Sequence, residues 1–355
     1  MTNKTSKVVT ITLNPALDLT GSVNELNVGS VSLVQQSNLH AAGKGVNVAK
    51  VLSDLGADVT VTGFLGKDNP ELFHQLFNDI GVKNEFVEVQ GATRINVKLV
   101  EASGNVSDIN FPGVQVTADE IARFEETLFR LAETHDYFVL AGSLPGGVTA
   151  EQCAAWIKAL HQQGKKVLFD SSKAALKSGI EAHPWLIKPN DEELGDFVGE
   201  HLETPEQCQA AAQTLSDKGI ENIVVSMGAD GVMWLNQGKW LRAQPPRMNV
   251  VSTVGAGDTL VAGLCWGHMQ LMPKNDLLRF ATALSALKNP NRKLVAITFD
   301  DIRQVPLGSE PIRSGDKVIG RIKSGGQGYT INKAIGYAYL PIEFTTPGSV
   351  VEVEF

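Results

Sequence analysis

Cysteine is scarce in this 355-residue chain. The three present, Cys153, Cys208 and Cys265, lie far apart in no CxxC or Cys/His spacing, which argues against a zinc site and a disulfide framework. A reducing, cytoplasmic location is therefore expected. Basic runs are missing too. With 31 Lys and Arg against 39 Asp and Glu, the net charge of −8 gives no general attraction to a phosphodiester backbone, and no nucleic-acid partner is expected. No apolar run would span a bilayer, because the longest, Leu260 to Met272, is broken by Gly263, Gly267, His268 and Gln270. Met1 to Lys7 is polar and leads into Val8-Val9-Thr10-Ile11-Thr12-Leu13 without the apolar stretch of a signal peptide, so no membrane partner is expected either. Internal repeats are lacking, and the seven histidines fall in no hydrolase-like Ser, His and acid spacing.

What remains is an ordinary globular composition, 43% hydrophobic and 20% charged, long enough for two or three domains. Strand-like runs at Val59 to Phe64, Tyr137 to Leu140, Val167 to Asp170, Trp185 to Lys188 and Ile223 to Met227 alternate with amphipathic segments. One such segment, Glu120 to Ala132, places Ile121, Phe124, Leu128 and Leu131 three and four apart, with Thr117 or Asp119 as its cap. The alternation predicts an α/β fold with a parallel sheet covered by helices. Asp18 to Leu39 reads differently, as does Arg94 to Phe111, where Ala102-Ser103-Gly104-Asn105 looks like a hairpin turn; these would form a small separate sheet. From residue 288 the pattern changes to short strands with Gly- and Pro-rich turns, and nine Lys and Arg outnumber seven Asp and Glu. A domain boundary is expected at Lys288 to Asn291, giving domains 1–290 and 291–355.

The sharpest constellation is Val254-Gly255-Ala256-Gly257-Asp258-Thr259, between a strand-like run at Val250 to Thr253 and an apolar helix. Glycines there let main-chain N–H groups converge at a helix N-terminus, where the macrodipole favours an anion such as a phosphoryl group. Asp258 would stand beside that anion as a proton acceptor, or simply favour a helix start. In Lys188-Pro189-Asn190-Asp191-Glu192-Glu193, Asn190 and Glu193 offer oxygens for Mg²⁺ and Lys188 offers charge for a phosphate; the plainer reading is a capping box. Ser226-Met227-Gly228-Ala229-Asp230-Gly231 would admit a nucleotide closely. Ala41 to Ala49 is a glycine turn opening a helix, with Gly43, Lys44 and Asn47 placed to grip polar groups, but without the GxxxxGK[ST] of a Walker A loop. Arg94 offers a planar fork for a phosphate that is not transferred, unless it is an ordinary strand arginine. Asp18, after Asn14-Pro15-Ala16-Leu17, would accept sugar hydroxyls or cap a turn.

Together and in order, these motifs resemble the ribokinase-like (PfkB) sugar kinases, specifically the bacterial branch acting on fructose 1-phosphate. The likeness runs from about Val8 to Leu287 and includes Thr12 to Asp18, His40 to Ala49, Gly63-Phe64-Leu65-Gly66-Lys67-Asp68, Thr93 to Lys98, Gly142-Ser143-Leu144-Pro145-Gly146-Gly147, Lys188 to Glu193 and Val254 to Asp258. The resemblance implies a doubly wound, mainly parallel sheet with a small β lid, from about 15–40 and 93–112, whose strands pair into a homodimer. It implies ATP-dependent phosphorylation of O6 of D-fructose 1-phosphate to fructose 1,6-bisphosphate. It makes Asp258 the general base, Gly255, Ala256 and Gly257 the anion hole, and Asp18, Gly43, Lys44, Asn47 and Arg94 the sugar-phosphate contacts. Lys188, Ser226, Gly228, Gly231 and Thr253 fall to ATP, and Asn190 and Glu193 to Mg²⁺. Fructose 6-phosphate or tagatose 6-phosphate is the alternative substrate.

The tail departs from that family. Arg292 to Phe355 resembles the C-terminal β-barrel domain of the glycine-cleavage T protein, through Arg292-Lys293-Leu294-Val295, Val318 to Thr330, Lys333 to Tyr339 and Pro347 to Val353. The usual kinase ending, a glycine loop near the adenine and a closing helix, is thereby replaced. A catalytically weakened binding or scaffold chimera is the alternative this replacement raises.

Overall fold

The computed structural model describes residues 7–245, 255–286, 292–301, 303–315, 317–328, 333–341, 344–345 and 348–354. The chain forms two compact units, Met1–Ala286 and Leu287–Phe355. The strand expected at Val250 to Thr253 and the boundary expected at Lys288 to Asn291 lie outside the described residues, as does Thr253.

In chain order the first unit begins β1 (Lys7–Thr12), β2 (Ala16–Val23), β3 (Gln36–Ala42), α1 (Lys44–Asp54), β4 (Asp58–Gly66), α2 (Glu71–Asp79), β5 (Lys83–Val89), β6 (Ile95–Glu101), β7 (Val106–Ile109), α3 (Ala118–Ala132) and β8 (Tyr137–Ala141). It continues with α4 (Ala150–Gln162), β9 (Lys166–Asp170), α5 (Lys173–Ile180), β10 (Leu186–Ile187), α6 (Asp191–Val198), α7 (Pro205–Asp217), β11 (Asn222–Ser226), β12 (Val232–Asn236), β13 (Lys239–Ala243), α8 (Ala256–Met269) and α9 (Lys274–Ala286). Of the run expected at Trp185 to Lys188, only Leu186 and Ile187 pair as strand, and Lys188 has already left the sheet.

The main sheet is ordered β13-β12-β11-β10-β9-β8-β1-β4-β5, parallel except for the last two strands at the β13 edge. Its strands are apolar on both faces because helices cover both. Val9 and Ile11 of β1 pack with Phe124, Trp156 and Leu160 on one side, while Val8 packs with Val46, Leu52 and Leu264 on the other. The chain moves from β1 toward β4 and β5, then resumes on the opposite side at β8. That reversal opens a crevice between the carboxyl ends of β1 and β8, where ligands collect in folds of this kind.

The helices begin where the sequence supplies a cap. Thr117, not Asp119, caps α3: its hydroxyl accepts from the Glu120 amide at 3.3 Å, and the Glu120 carboxylate accepts from the Thr117 amide at 2.8 Å. Such a cap is worth about 1 kcal/mol.

The two stretches that read apart from the main sheet form a second one, ordered β3-β2-β6-β7. Its register sets Leu39, Leu19, Val97 and Ile109 in one row across the four strands. The adjacent row carries His40, Asp18 and Asn96. Side chains alternate faces along a strand, so this lid has one apolar and one polar face.

The second unit contains β14 (Arg292–Phe299), β15 (Pro311–Ser314), β16 (Lys317–Gly328), β17 (Lys333–Pro341) and β18 (Glu352–Val353). They form an antiparallel sheet ordered β14-β17-β16-β15-β18. Register shifts at Ile312/Arg313 and Ile322/Ser324 interrupt the ladder, and such bulges bend a sheet over its core. That core includes Phe299, Ile312, Ile322, Ala338 and Leu340. Among the described residues, no helix is long and apolar enough to cross a membrane.

Candidate active site

Glycine opens α8. Gly255 adopts φ 72°, ψ 10°, a left-handed conformation natural only to residues without a Cβ, and its carbonyl accepts from both the amide and the hydroxyl of Thr259 at 3.0 Å. The amides of Ala256 and Gly257 belong to the first turn, whose N–H groups have no acceptor within the helix itself. No side chain caps this helix among the described residues. Asp258 follows in the same turn, 5% exposed, and one of its carboxylate oxygens accepts from the Asn47 amide at 2.7 Å. Asn47 lies on the first turns of α1, 211 positions earlier.

Two lysines join this carboxylate. Lys44 opens α1, immediately after Gly43, whose φ of 136° excludes other residues. A Cβ at Gly43 would also lie 2.8 Å from the Thr12 methyl, so the turn is pressed against the end of β1. Lys188 leaves β10 with its side chain 5% exposed, its ammonium 3.4 Å from where a Cβ on Gly257 would sit. Both lysines converge on Asp170, the last residue of β9: Lys44 at 3.4 Å on one oxygen, Lys188 at 3.5 Å on the other. Burial by itself would depress Lys44, but Asp170, Glu193 and Asp258 together outweigh it and hold the ammonium above its usual value. Sequence reading missed Asp170. Its one available signal was an acidic residue closing the apolar run Val167 to Asp170 at the ligand-facing end of a parallel strand.

Asn190 and Glu193 form the capping box of α6. The Asn190 side-chain oxygen accepts from the Glu193 amide at 2.7 Å, and one Glu193 oxygen accepts from the Asn190 amide at 3.0 Å. Capping uses one oxygen of each side chain, and the field of Glu193 still reaches Lys44. Ser226 lies alongside, bridged in parallel to Asn190. Gly228 has open space where a Cβ would be, whereas at Gly231 that space lies 2.3 Å from the Ala243 carbonyl, so the neighbouring strand already requires a glycine there.

The lid supplies the remaining expected residues. Asp18 lies within β2 rather than in a turn, paired in register with His40 and accepting from the Asn96 side chain at 3.3 Å. Arg94 does not present a free fork. Its Nη2, Nη1 and Nε donate to the carbonyls of Asn14, Phe111 and Pro15 at 3.0, 3.2 and 3.3 Å, leaving two of its five donors. Asn14 spans the crevice, donating to the Ser143 hydroxyl at 3.1 Å and the Leu144 carbonyl at 3.2 Å. A buried carboxylate beside amide donors and two ammonium groups can take a proton from a hydroxyl while charge is transferred next to it.

Residues 7–290 match the pfkB family carbohydrate kinase model, and residues 292–355 match the glycine cleavage T-protein C-terminal barrel domain. The chain is 71% identical over 283 residues to a 1-phosphofructokinase of Vibrio cholerae, covering 80% of this chain and 89% of that one. It is 49% identical over 282 residues to the 1-phosphofructokinase of Escherichia coli K12, covering 79% and 90%. Among solved structures, phosphofructokinase-2 from Escherichia coli in complex with substrates and products superposes with a TM-score of 0.75 at 29% identity, over 79% of this chain and 92% of that one. Its tetrameric inhibited form superposes at 0.74, also at 29% identity, over 79% and 93%.

Proposed function

Because this chain belongs to the pfkB family of carbohydrate kinases through residues 7–290, we propose that it transfers the γ-phosphoryl group of ATP to O6 of D-fructose 1-phosphate, giving fructose 1,6-bisphosphate and ADP. The supporting observation is the placement of Asp258, buried beside first-turn amides and the Lys188 ammonium, in contact with Asn47. In this reading Asp258 accepts the hydroxyl proton as O6 attacks the γ-phosphorus in line and the bond to ADP breaks. Charge on the transferring group is met by the Ala256 and Gly257 amides and by Lys188. Asn47 holds the carboxylate in place. Asp18 orients sugar hydroxyls from the polar lid face, and Gly43, Lys44 and Arg94 receive the sugar phosphate.

ATP is the donor, placed along Lys188, Ser226, Gly228, Gly231 and Thr253. Among the described residues, no three His, Cys, Asp or Glu side chains cluster tightly enough to form a protein cage for a metal. That suits Mg²⁺, which keeps waters and phosphate oxygens as ligands and needs few carboxylates. Both Asp170 oxygens face lysine ammonium groups, whereas Glu193 has an oxygen outside its cap, so Glu193 and Asn190 would hold the ion directly or through water. When bound, Mg²⁺ neutralises phosphate charge.

The lid's apolar row invites a second copy. Leu39, Ile95 and Ile109 are 39%, 40% and 48% exposed on that face, and pairing two lids across it gives the homodimer. Its anionic metabolite substrates place the enzyme in the cytoplasm.

The test of substrate is kcat/KM measured with fructose 1-phosphate, fructose 6-phosphate and tagatose 6-phosphate on the full chain. Preference for fructose 1-phosphate is expected; equal or reversed preference overturns the assignment.

A further inference from the structure

Four chain segments connect the lid to the rest of the first unit: residues 13–15, 43, 90–94 and 110–117. Arg94 ends the third, and its side chain reaches two of the others. It donates to Asn14 and Pro15 in the first segment and to Phe111 in the last, while its own carbonyl accepts from the Leu17 amide at 2.8 Å. A guanidinium can serve three carbonyls on two segments at once because its five donors are fixed in a plane; a lysine ammonium has three donors on one atom. The clasped segments also touch directly. A Cβ at Gly113 would lie 2.0 Å from the Asn14 side-chain oxygen, and Asn14 is in turn fastened to Ser143 and Leu144 beyond β8.

We propose that Arg94 is a positioning residue that sets the angle of the lid, and that its remaining donors couple capture of the substrate's non-transferred phosphate to lid closure. The proposal rests on the reading above, in which a sugar phosphate binds beneath the lid. A phosphate drawn to the two remaining donors pulls on the fork that holds residues 14, 15 and 111, so its charge acts on two of the four connecting segments together. Closure then follows substrate, which keeps water from the γ-phosphoryl group until an acceptor is present.

The experiment compares the full chain with Arg94→Lys and Arg94→Ala by hydrogen exchange without ligand, and by steady-state kinetics. Peptides covering 13–18 and 110–116 should exchange about tenfold faster in both variants, with β8 and β9 unchanged as the control for folding. In Arg94→Lys, which keeps the positive charge, kcat should fall by about tenfold, more than KM for fructose 1-phosphate rises, and ATP hydrolysis without sugar should increase relative to transfer. Unaltered exchange in both ligand-free variants, with only KM raised, overturns the clasp and leaves Arg94 a phosphate contact alone. Should the parent chain phosphorylate no sugar phosphate, the functional reading fails, and the exchange comparison still decides whether Arg94 fixes the lid.

Discussion

Asp170 stands between two ammonium groups, so removing its charge should be felt first as instability. In Asp170→Asn the Lys188 ammonium, 5% exposed, would remain buried without its counter-ion, and Lys44 would lose the first of the charges that offset its burial. At 3.4 and 3.5 Å, each ion pair has a gross attraction of about 5 kcal/mol at an effective dielectric near 20. The Lys44 pair counts for less, because that side chain is 39% exposed and solvent screens it. Breaking the buried Lys188 pair costs about 3 kcal/mol, the lower end for such pairs because asparagine keeps an oxygen, and lowers the melting temperature by about 5 °C. Scanning calorimetry with and without saturating Mg·ATP is the assay. The ATP phosphates bring negative charge to Lys188, so the variant should regain more of its melting temperature from the nucleotide than the parent gains. A melting temperature within about 2 °C of the parent, or equal nucleotide shifts, would refute the shared-carboxylate argument.

Other consequences can be measured independently. Asp258→Asn should lose about 10²-fold or more in kcat with Mg·ATP affinity nearly unchanged, because it removes a proton acceptor and leaves the amides in place; stopped-flow turnover and calorimetric titration separate the two. His268 packs between Trp185 and Trp234 with a buried Nε2 that lacks a hydrogen bond, and burial, then Lys166 and Lys274, push its pKa down to about 4. It is neutral in the fold and takes a proton near 6.5 when unfolded. Stability is therefore full above pH 6.5 and declines by about 3 kcal/mol as the pH falls to about 4, a slope that denaturant titrations should find flattened in His268→Phe. The proposed lid dimer should sediment as a dimer in the parent and as a monomer in Ile109→Lys, on the exposed apolar row, with the main sheet still folded; an equal sedimentation coefficient would count against pairing through that face.

Local pattern carried much of this fold because local physics decides it. The alternation of apolar strands with amphipathic helices, the Ala102 to Asn105 hairpin turn and the Thr117 cap each depend on residues a few positions apart. Gly255, three residues before Asp258, was legible for the same reason, since a left-handed helix start needs it. Contacts made across the sheet left no such trace. Asp170 reads as the end of an ordinary buried strand, and only the parallel pairing of β8, β9 and β10 brings it between Lys44 and Lys188. Asn47 was legible as a polar residue placed to grip substrate, but its bond to Asp258 depends on α1 meeting α8. Arg94 was legible as a fork, but the carbonyls it serves belong to turns whose convergence no spacing encodes. At Asn190 and Glu193 the structure shows the capping box, also a local pattern, while the field of Glu193 on Lys44 depends on packing that no spacing encodes.

The full chain incubated with Mg·ATP and fructose 1-phosphate, followed by phosphorus NMR with ADP quantified alongside, shows where the phosphate goes. A new resonance on O6, in step with ADP and absent when Asp258 is replaced by Asn, is the predicted result. ADP formed only at the sugar-free rate, or O6 phosphorylation undiminished in the Asp258→Asn protein, would contradict the account.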